Sequence, residues 1–174
     1  MGRLSPEKGF DLLLRAFASV RREFHDASLV IAGTGPEEVK LKALCRTLAL
    51  DSAVRFADPI DRPWTLFPEA TLFVLPSRHE GLPNALLEAA AGGLPIVALP
   101  ASGGIVELLG DQPGVWLAPE VTVEALATSL LESLRALRPG DRFAHPFVEE
   151  FRIDRAIGAY EKLIDRMLVG DTDS

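Results

Sequence analysis

The sequence is poor in several features that would each identify a class of protein. Its 174 residues include one cysteine, Cys45, so an internal disulfide is impossible and a reducing compartment is expected. No apolar run approaches the ~20 residues that a membrane-spanning helix needs. The formal net charge of −7 argues against a partner such as nucleic acid or an anionic membrane surface. Any anionic ligand must therefore be held by a few local cations and by backbone amides.

The amino terminus lacks the marks of a targeting signal. A charged helical pattern follows Met1–Pro6 where a signal peptide would be apolar, and Pro6 stands where myristoylation requires Ser or Thr. The first residues resemble the middle of an element, so we expect residues 1–174 to form a single domain of a larger protein. We expect a cytoplasmic location, and any association with the inner face of the membrane would come from the rest of that protein.

Short apolar strands alternate with amphipathic helices along the chain. The predicted strands are 28–32, 53–56, 71–75, 95–98 and 114–117. The predicted helices are 9–24, 37–50, 61–70, 83–92, 105–109, 123–137 and 153–168. Strands that are apolar throughout and are each followed by a helix are typical of a parallel sheet covered on both faces. The sequence therefore predicts an α/β fold with a doubly wound, Rossmann-like parallel sheet, whose ligands bind at the carboxyl ends of the strands.

Two carboxylates stand out in the segment that follows the strand at 71–75. Glu80 lies on the predicted loop, and Glu88 lies eight positions later inside the next helix. Either one alone would be interpreted as a solvated surface charge. Each can also accept hydrogen bonds from a vicinal diol, and the glycines and prolines around them indicate a tight strand–loop–helix connection.

The start of that helix is a predicted anion site. Pro83 suits the first helical position because it needs no N–H there. The amides of Asn84, Ala85 and Leu86 are then expected to face the crevice without partners, at the positive end of the helix dipole. A phosphate site flanked by two diol-binding carboxylates fits a sugar nucleotide, with the ribose on one side and a hexose on the other.

The segment from Pro76 to Pro95 resembles the Glu-x7-Glu signature of retaining GT-B glycosyltransferases of group 1 (family 4). Further segments follow in that family's order and spacing: Gly2–Gly9, Leu29–Pro36, Val54–Phe56, Gly103–Gly104 with Glu107, and Gly114–Leu117. The resemblance covers nearly the whole chain and implies the C-terminal, donor-binding half of a GT-B fold. Leu82–Asn84 replaces the commoner Phe-Gly and resembles enzymes of cell-surface polysaccharide or lipopolysaccharide synthesis.

The resemblance implies a role for each matching position. Arg3 and Lys8 would contact the donor diphosphate. Glu88 would hold the ribose hydroxyls, and Glu80 would hold the transferred sugar as the catalytic carboxylate. The segment expected to border the nucleobase comprises Ala57, Asp58, Pro59 and Ile60. The segment expected to hold the distal phosphate and part of the sugar comprises Leu82, Pro83, Asn84, Ala85 and Leu86.

The implied reaction transfers a hexosyl group from a nucleotide sugar with retention at the anomeric carbon. A UDP-sugar is expected ahead of a GDP- or ADP-sugar. No metal or cofactor is expected, because the helix dipole and Lys/Arg charge would stabilise the leaving diphosphate. The one Asp-x-Asp pattern, Asp171–Asp173, lies in a tail predicted to fray, and His25, His79 and His145 are expected at the surface or in loops.

The rest of the protein would supply the acceptor site. The resemblance implies an N-terminal acceptor domain outside this chain, with residues 147–168 as the segment that crosses back to it. We therefore expect the chain alone to bind donor without turnover. Without the acceptor domain, the apolar side chains of the last helix should pack locally or against a second copy: Ile153, Ile157, Tyr160, Leu163, Ile164 and Met167.

Three other interpretations have some support. Gly33–Gly35 resembles a dinucleotide-binding turn, but it lacks the third glycine and the next strand ends without an acidic residue. A sugar-nucleotide 2-epimerase shares the fold and the donor class. A non-catalytic sugar-nucleotide-binding module is the third. The presence of the full set Arg3, Lys8, Glu80 and Glu88 favours a working transferase.

Overall fold

The structure is a computed structural model that describes residues 1–169. The strands in this range are β1 (Leu29–Ala32), β2 (Val54–Ala57), β3 (Phe73–Leu75), β4 (Ile96–Ala98) and β5 (Val115–Leu117). The α-helices are α1 (Phe10–Glu23), α2 (Glu38–Thr47), α3 (Asn84–Ala91), α4 (Gly103–Leu109), α5 (Val123–Ala136) and α6 (Ile153–Val169). Short 3₁₀ helices occupy Pro6–Lys8, Pro63–Leu66 and Pro146–Phe151.

Every strand pair is parallel, which confirms the predicted α/β fold with helices between parallel strands. Within residues 1–169 the hydrogen-bonded ladder comes in two pieces, β1–β2 and β3–β4–β5, and not as the one continuous sheet that the sequence predicts. The amides of Gly2 and Leu4 donate to the carbonyls of Ala32 and Thr34 at 2.9 and 2.8 Å. The opening loop therefore occupies the free edge of β1 at its carboxyl end.

The core forms two clusters of buried side chains. In the first, α1 buries a stripe at helical spacing, which includes Leu14 and Val20, against the α5 stripe that includes Leu126 and Leu130. In the second, Leu86 of α3 is fully buried with residues of β4 and α4. Burying one face of each helix fixes the loops at the strand ends, where the candidate site lies.

Some helix boundaries differ from the prediction. Residues 61–70 form only the 3₁₀ helix Pro63–Leu66, because Pro68 has no amide to donate and its ring blocks a continuing helix. The helix predicted at 37–50 is shorter, because α2 begins at Glu38 and ends at Thr47. Pro83 is the N-cap of α3 and not its first helical residue.

The apolar face of α6 is exposed. The side chains of Ile153, Tyr160 and Met167 are 78%, 68% and 68% exposed, and Ile157 and Ile164 are exposed as well. Local packing, the first of the two expected alternatives, is therefore wrong for these side chains, and packing against a second copy stays a prediction. The side chain of Leu163 and the tail Asp171–Asp173 lie outside the described residues. None of the helices between residues 1 and 169 is long and apolar enough to cross a membrane.

Candidate active site

A cleft of about 570 Å³ opens at the carboxyl ends of β1 and β2 and at the start of α3. Four separate segments build it, as expected for a fold whose loops meet at one edge of a parallel sheet. Its lining comprises Met1–Arg3, Ala32–Pro36, Pro59–Asp61, Pro63, Ala85 and Glu88. Arg3 contributes a cation to this cleft, and Glu88 contributes a partly buried carboxylate.

The structure places part of the predicted nucleobase segment in the cleft. Pro59 and Ile60 line it, whereas Ala57 and Asp58 do not. Ala57 is the last residue of β2, and its carbonyl accepts a hydrogen bond from the amide of Gly33 at 2.9 Å. The cleft wall therefore begins two residues after the strand ends.

A second, much smaller cavity of about 20 Å³ adjoins the cleft. Lys8, Ser77, Glu80 and Pro83 line it, and Ala85 lines both spaces. The predicted residues thus fall into two neighbouring groups: Arg3 and Glu88 in the open cleft, and Lys8 and Glu80 beside it. Ala85, in the first turn of α3, lies where the two groups meet.

Lys8 and Glu80 are directly paired. The Nζ atom of Lys8 lies 2.6 Å from Oε2 of Glu80, and the two side chains are 26% and 12% exposed. The hydroxyl of Ser77 donates to the same Oε2 atom at 3.0 Å. The lysine predicted to bind phosphate and the glutamate predicted to bind the sugar are therefore paired with each other.

The start of α3 offers fewer free amides than the sequence predicts. The amides of Asn84 and Ala85 donate to no acceptor in the described part of the chain. The amide of Leu86 donates to the carbonyl of Pro83 at 3.0 Å, and its side chain is fully buried. The expectation that Leu86 presents a free amide is wrong, because the first helical turn already uses it. Leu82, on the preceding loop, is exposed.

Close backbone contacts join the loops of the site. Gly9 has φ +65°, and a Cβ at this position would lie 1.9 Å from the carbonyl oxygen of Pro76. A Cβ at Gly35 would lie 2.3 Å from the carbonyl oxygen of Leu4. Only glycine allows approaches this close, so both glycines are needed for the loops to meet.

Met1 lies among these residues and borders both spaces. Side chains of both charges line the two spaces: Arg3 and Lys8 are cationic, and Glu80 and Glu88 are anionic.

The sequence did not single out two residues of this loop. Ser77 is buried and donates to Glu80, and Arg78 forms hydrogen bonds to the opening loop and to α1. The contact between Ser77 and Glu80 could have been expected from the sequence, because Ser77 lies two residues after a strand and three residues before the carboxylate. The partners of Arg78 lie 67 and 72 residues away, and no local pattern identifies contacts of that kind.

The histidines and the cysteine lie away from the cleft. His25 and His79 are exposed and His145 lies in a loop, as expected. The side chain of His145 is buried, with its Nε2 atom 2.9 Å from the carbonyl oxygen of Leu94. Cys45 is buried in the core, and burial raises the pKa of its thiol. Among the described residues, no group of three or more His, Cys, Asp and Glu side chains is placed to hold a metal ion.

Residues 1–137 match the family model described as glycosyl transferases group 1. The chain belongs to the group 1 glycosyltransferase family. It is 33% identical over 130 residues to an uncharacterized glycosyltransferase of Haemophilus influenzae, which covers 75% of this chain and 37% of the relative. It is 34% identical over 139 residues to the amylovoran biosynthesis glycosyltransferase AmsK of Erwinia amylovora, covering 75% and 34% of the two chains.

A solved structure shows the fold of this group 1 glycosyltransferase chain. The pneumococcal O-GlcNAc transferase GtfA, crystallised with UDP and GlcNAc, superposes with a TM-score of 0.78 at 20% identity, over 95% of this chain and 34% of that one. This likeness and the family match confirm the predicted Rossmann-like half of a GT-B glycosyltransferase. The chain spans about a third of the length of the two relatives.

Proposed function

We propose that this chain is the donor-binding domain of a glycosyltransferase that moves a hexosyl group from a nucleotide sugar to an acceptor. The observation that carries the proposal is the composition of the cleft. A cation (Arg3), a partly buried carboxylate (Glu88) and the free amide of Ala85 converge there from segments far apart in the sequence, and Asn84, which directly precedes Ala85, has a free amide as well. These are the groups that recognise a diphosphate next to a ribose.

Each group has a distinct task in this proposal. Arg3 and the amides at the start of α3 bind the diphosphate, and the helix dipole adds to their positive potential. Glu88 accepts hydrogen bonds from the ribose hydroxyls, while Pro59 and Ile60 border the base. In this proposal Glu80 contacts the sugar and Lys8 contacts its glycosidic phosphate. Their adjoining cavity, at about 20 Å³, must widen for these contacts to form.

The transfer step follows from this arrangement. The bond between the anomeric carbon and the diphosphate oxygen breaks, and negative charge develops on the leaving diphosphate. Lys8, Arg3 and the free amides stabilise that charge without a metal ion. Glu80 orients the sugar, and retention at the anomeric carbon requires the acceptor to attack from the face that the diphosphate leaves. The acceptor site is assigned to an N-terminal domain outside this chain, so the chain alone binds donor without transferring sugar.

The relatives support the substrate class. AmsK is named for the biosynthesis of amylovoran, and the crystallised GtfA contains UDP and GlcNAc. We therefore propose a UDP-sugar as the donor ahead of a GDP- or ADP-sugar, and a cell-surface polysaccharide or lipopolysaccharide as the product. The location that fits this task is the cytoplasm.

Calorimetric titration of the chain with UDP, GDP and ADP in EDTA tests the proposal. One nucleotide should bind, and Glu88→Ala and Lys8→Ala should each weaken it by about tenfold, because each removes a hydrogen bond to a charged group. Glu132→Ala and Lys40→Ala are matched controls, since both residues are exposed and lie on α5 and α2. Equal losses in the controls and the site variants would refute the assigned roles.

The role of Glu88 has a sharper test. A nucleoside diphosphate that lacks the 2′- and 3′-hydroxyls should bind wild type about as weakly as the natural nucleotide binds Glu88→Ala. The nucleotide without these hydroxyls should bind Glu88→Ala only slightly more weakly than it binds wild type, because the variant and the altered nucleotide each remove the same hydrogen bonds. If the two losses of binding free energy add, Glu88 does not contact the ribose hydroxyls.

A further inference from the structure

One side chain ties the loop after β3 to the start of the chain. Arg78 donates from Nη1 and Nη2 to the two carboxylate oxygens of Asp11, each at 2.7 Å. Its Nη1 atom also lies 2.8 Å from the carbonyl oxygen of Pro6. In addition, the backbone amide of Arg78 donates to the carbonyl of Glu7 at 2.8 Å. We call this set of contacts the Arg78 clamp.

The Arg78 clamp encloses the Lys8–Glu80 pair. Two of its acceptors, Pro6 and Glu7, directly precede Lys8, and the third, Asp11, lies three residues after it. Arg78 itself lies two residues before Glu80. The two segments that supply Lys8 and Glu80 are thus fixed to each other at points on both sides of Lys8. The clamp adds directional hydrogen bonds to the close backbone contact between Gly9 and Pro76, which joins the same two segments.

The Arg78–Asp11 ion pair fixes geometry more than it stabilises the fold. The side chains of Arg78 and Asp11 are 32% and 41% exposed, and ion pairs this exposed contribute about 0–1 kcal/mol to folding. A bidentate contact between guanidinium and carboxylate has a fixed planar geometry, which a lysine cannot reproduce. Hydrogen bonds from Arg78 hold the pKa of the Asp11 carboxyl below its ordinary value, so the acceptor is ionised at neutral pH.

We propose that Arg78 is a positioning residue that holds Lys8 in place for the donor diphosphate by clamping Pro6, Glu7 and Asp11. This inference rests on the proposed function, and Arg78 itself touches no donor. Arg135 provides a matched control, because it makes a similar bidentate contact to Glu23 at 2.8 and 2.6 Å on the α1–α5 side of the molecule.

Amide hydrogen exchange in the free protein is the first test. In R78Q and in R78K the amides of Lys8 and of position 78 should exchange about tenfold faster, because the loops then separate locally. R135Q should leave both rates unchanged, and all three variants should have similar melting temperatures. Unchanged exchange in R78Q would overturn the clamp without reference to any ligand.

A double-mutant cycle with the tightest-binding nucleoside diphosphate is the second test. R78Q should weaken binding about fivefold when Lys8 is present and less than twofold in the K8A background, because the clamp acts through Lys8. Equal effects in both backgrounds would overturn the inference. If wild type binds no UDP, GDP or ADP, the proposed function fails, and the exchange rates still decide on the clamp.

Discussion

At the scale of single residues, Gly9 lies where the opening segment of the chain comes close to the loop that follows β3. We expect Gly9→Ala to lower the free energy of unfolding by about 2 kcal/mol or more, because a methyl group would lie 1.9 Å from the carbonyl oxygen of Pro76 and the backbone has φ +65°. Chemical denaturation measures this loss. Gly158→Ala is the control: it lies within α6 with no atom within 4 Å of the added methyl, so it should be neutral or slightly stabilising. Equal destabilisation in both variants would contradict the account.

Asp11 gives a pH dependence with a defined sign. Its folded-state pKa is lowered, chiefly by hydrogen bonds from Arg78, so its contribution to stability is present above the ordinary aspartate pKa of about 4 and is lost as the pH falls below it. Asp11→Asn should therefore be less stable than wild type at pH 7 by no more than about 1 kcal/mol, because the pair is exposed, and this difference should shrink at pH 3. Urea unfolding at the two pH values measures it, and a difference that grows on acidification would contradict the assignment.

Residue types at the site were predictable, whereas their pairings were not. Arg3, Lys8, Glu80 and Glu88 stand at strand ends and helix starts, where a parallel sheet places its ligands, and the structure brings them to two adjoining spaces. The contact between Lys8 and Glu80 joins positions 72 residues apart. It depends on how two loops pack, and that packing leaves no periodic signal in the sequence.

At the scale of elements, the cap of α5 is a clean test of local structure. The hydroxyl of Thr122 accepts a hydrogen bond from the amide of Ala125 at 3.2 Å, as the sequence predicts for a helix start. Thr122→Ala should cost about 1 kcal/mol of unfolding free energy, while Thr122→Ser should retain most of it. Thermal unfolding of the three proteins decides the point, and an alanine variant as stable as wild type would show that the cap contributes nothing.

Elements with a strong local signal were predicted well. The apolar spacing of α1 and α5 and the short apolar strands need only their own sequence, and their bounds agree with the prediction within a few residues. The prediction of a helix at 61–70 was wrong, because it did not take into account that Pro68 has no amide to donate. The division of the sheet has no local signal of this kind. The opening loop, and not β3, forms hydrogen bonds to the free edge of β1, and these contacts join residues about 30 positions apart.

At the scale of the whole molecule, the cleft and the exposed face of α6 are surfaces of different chemistry. The cleft combines a cation, a carboxylate and the free amide of Ala85, and its role as a donor site stays a prediction. The exposed apolar face of α6, which includes Ile157 and Tyr160, suits contact with protein. The sequence alone indicates the residues of both surfaces, because one depends on chemistry at loop positions and the other on helical periodicity.

Backbone amide shift mapping of the labelled chain with UDP, GDP and ADP in EDTA tests the central claim most directly. One nucleotide should perturb the amides of the cleft wall in a saturable way, above all those of Arg3, Gly33, Ala85 and Glu88, together with the adjacent amide of Asn84. The amides of α5, on the side of the molecule that packs against α1, should stay unchanged. Saturable shifts confined to other surfaces, or no shift with any of the three nucleotides, would contradict the account.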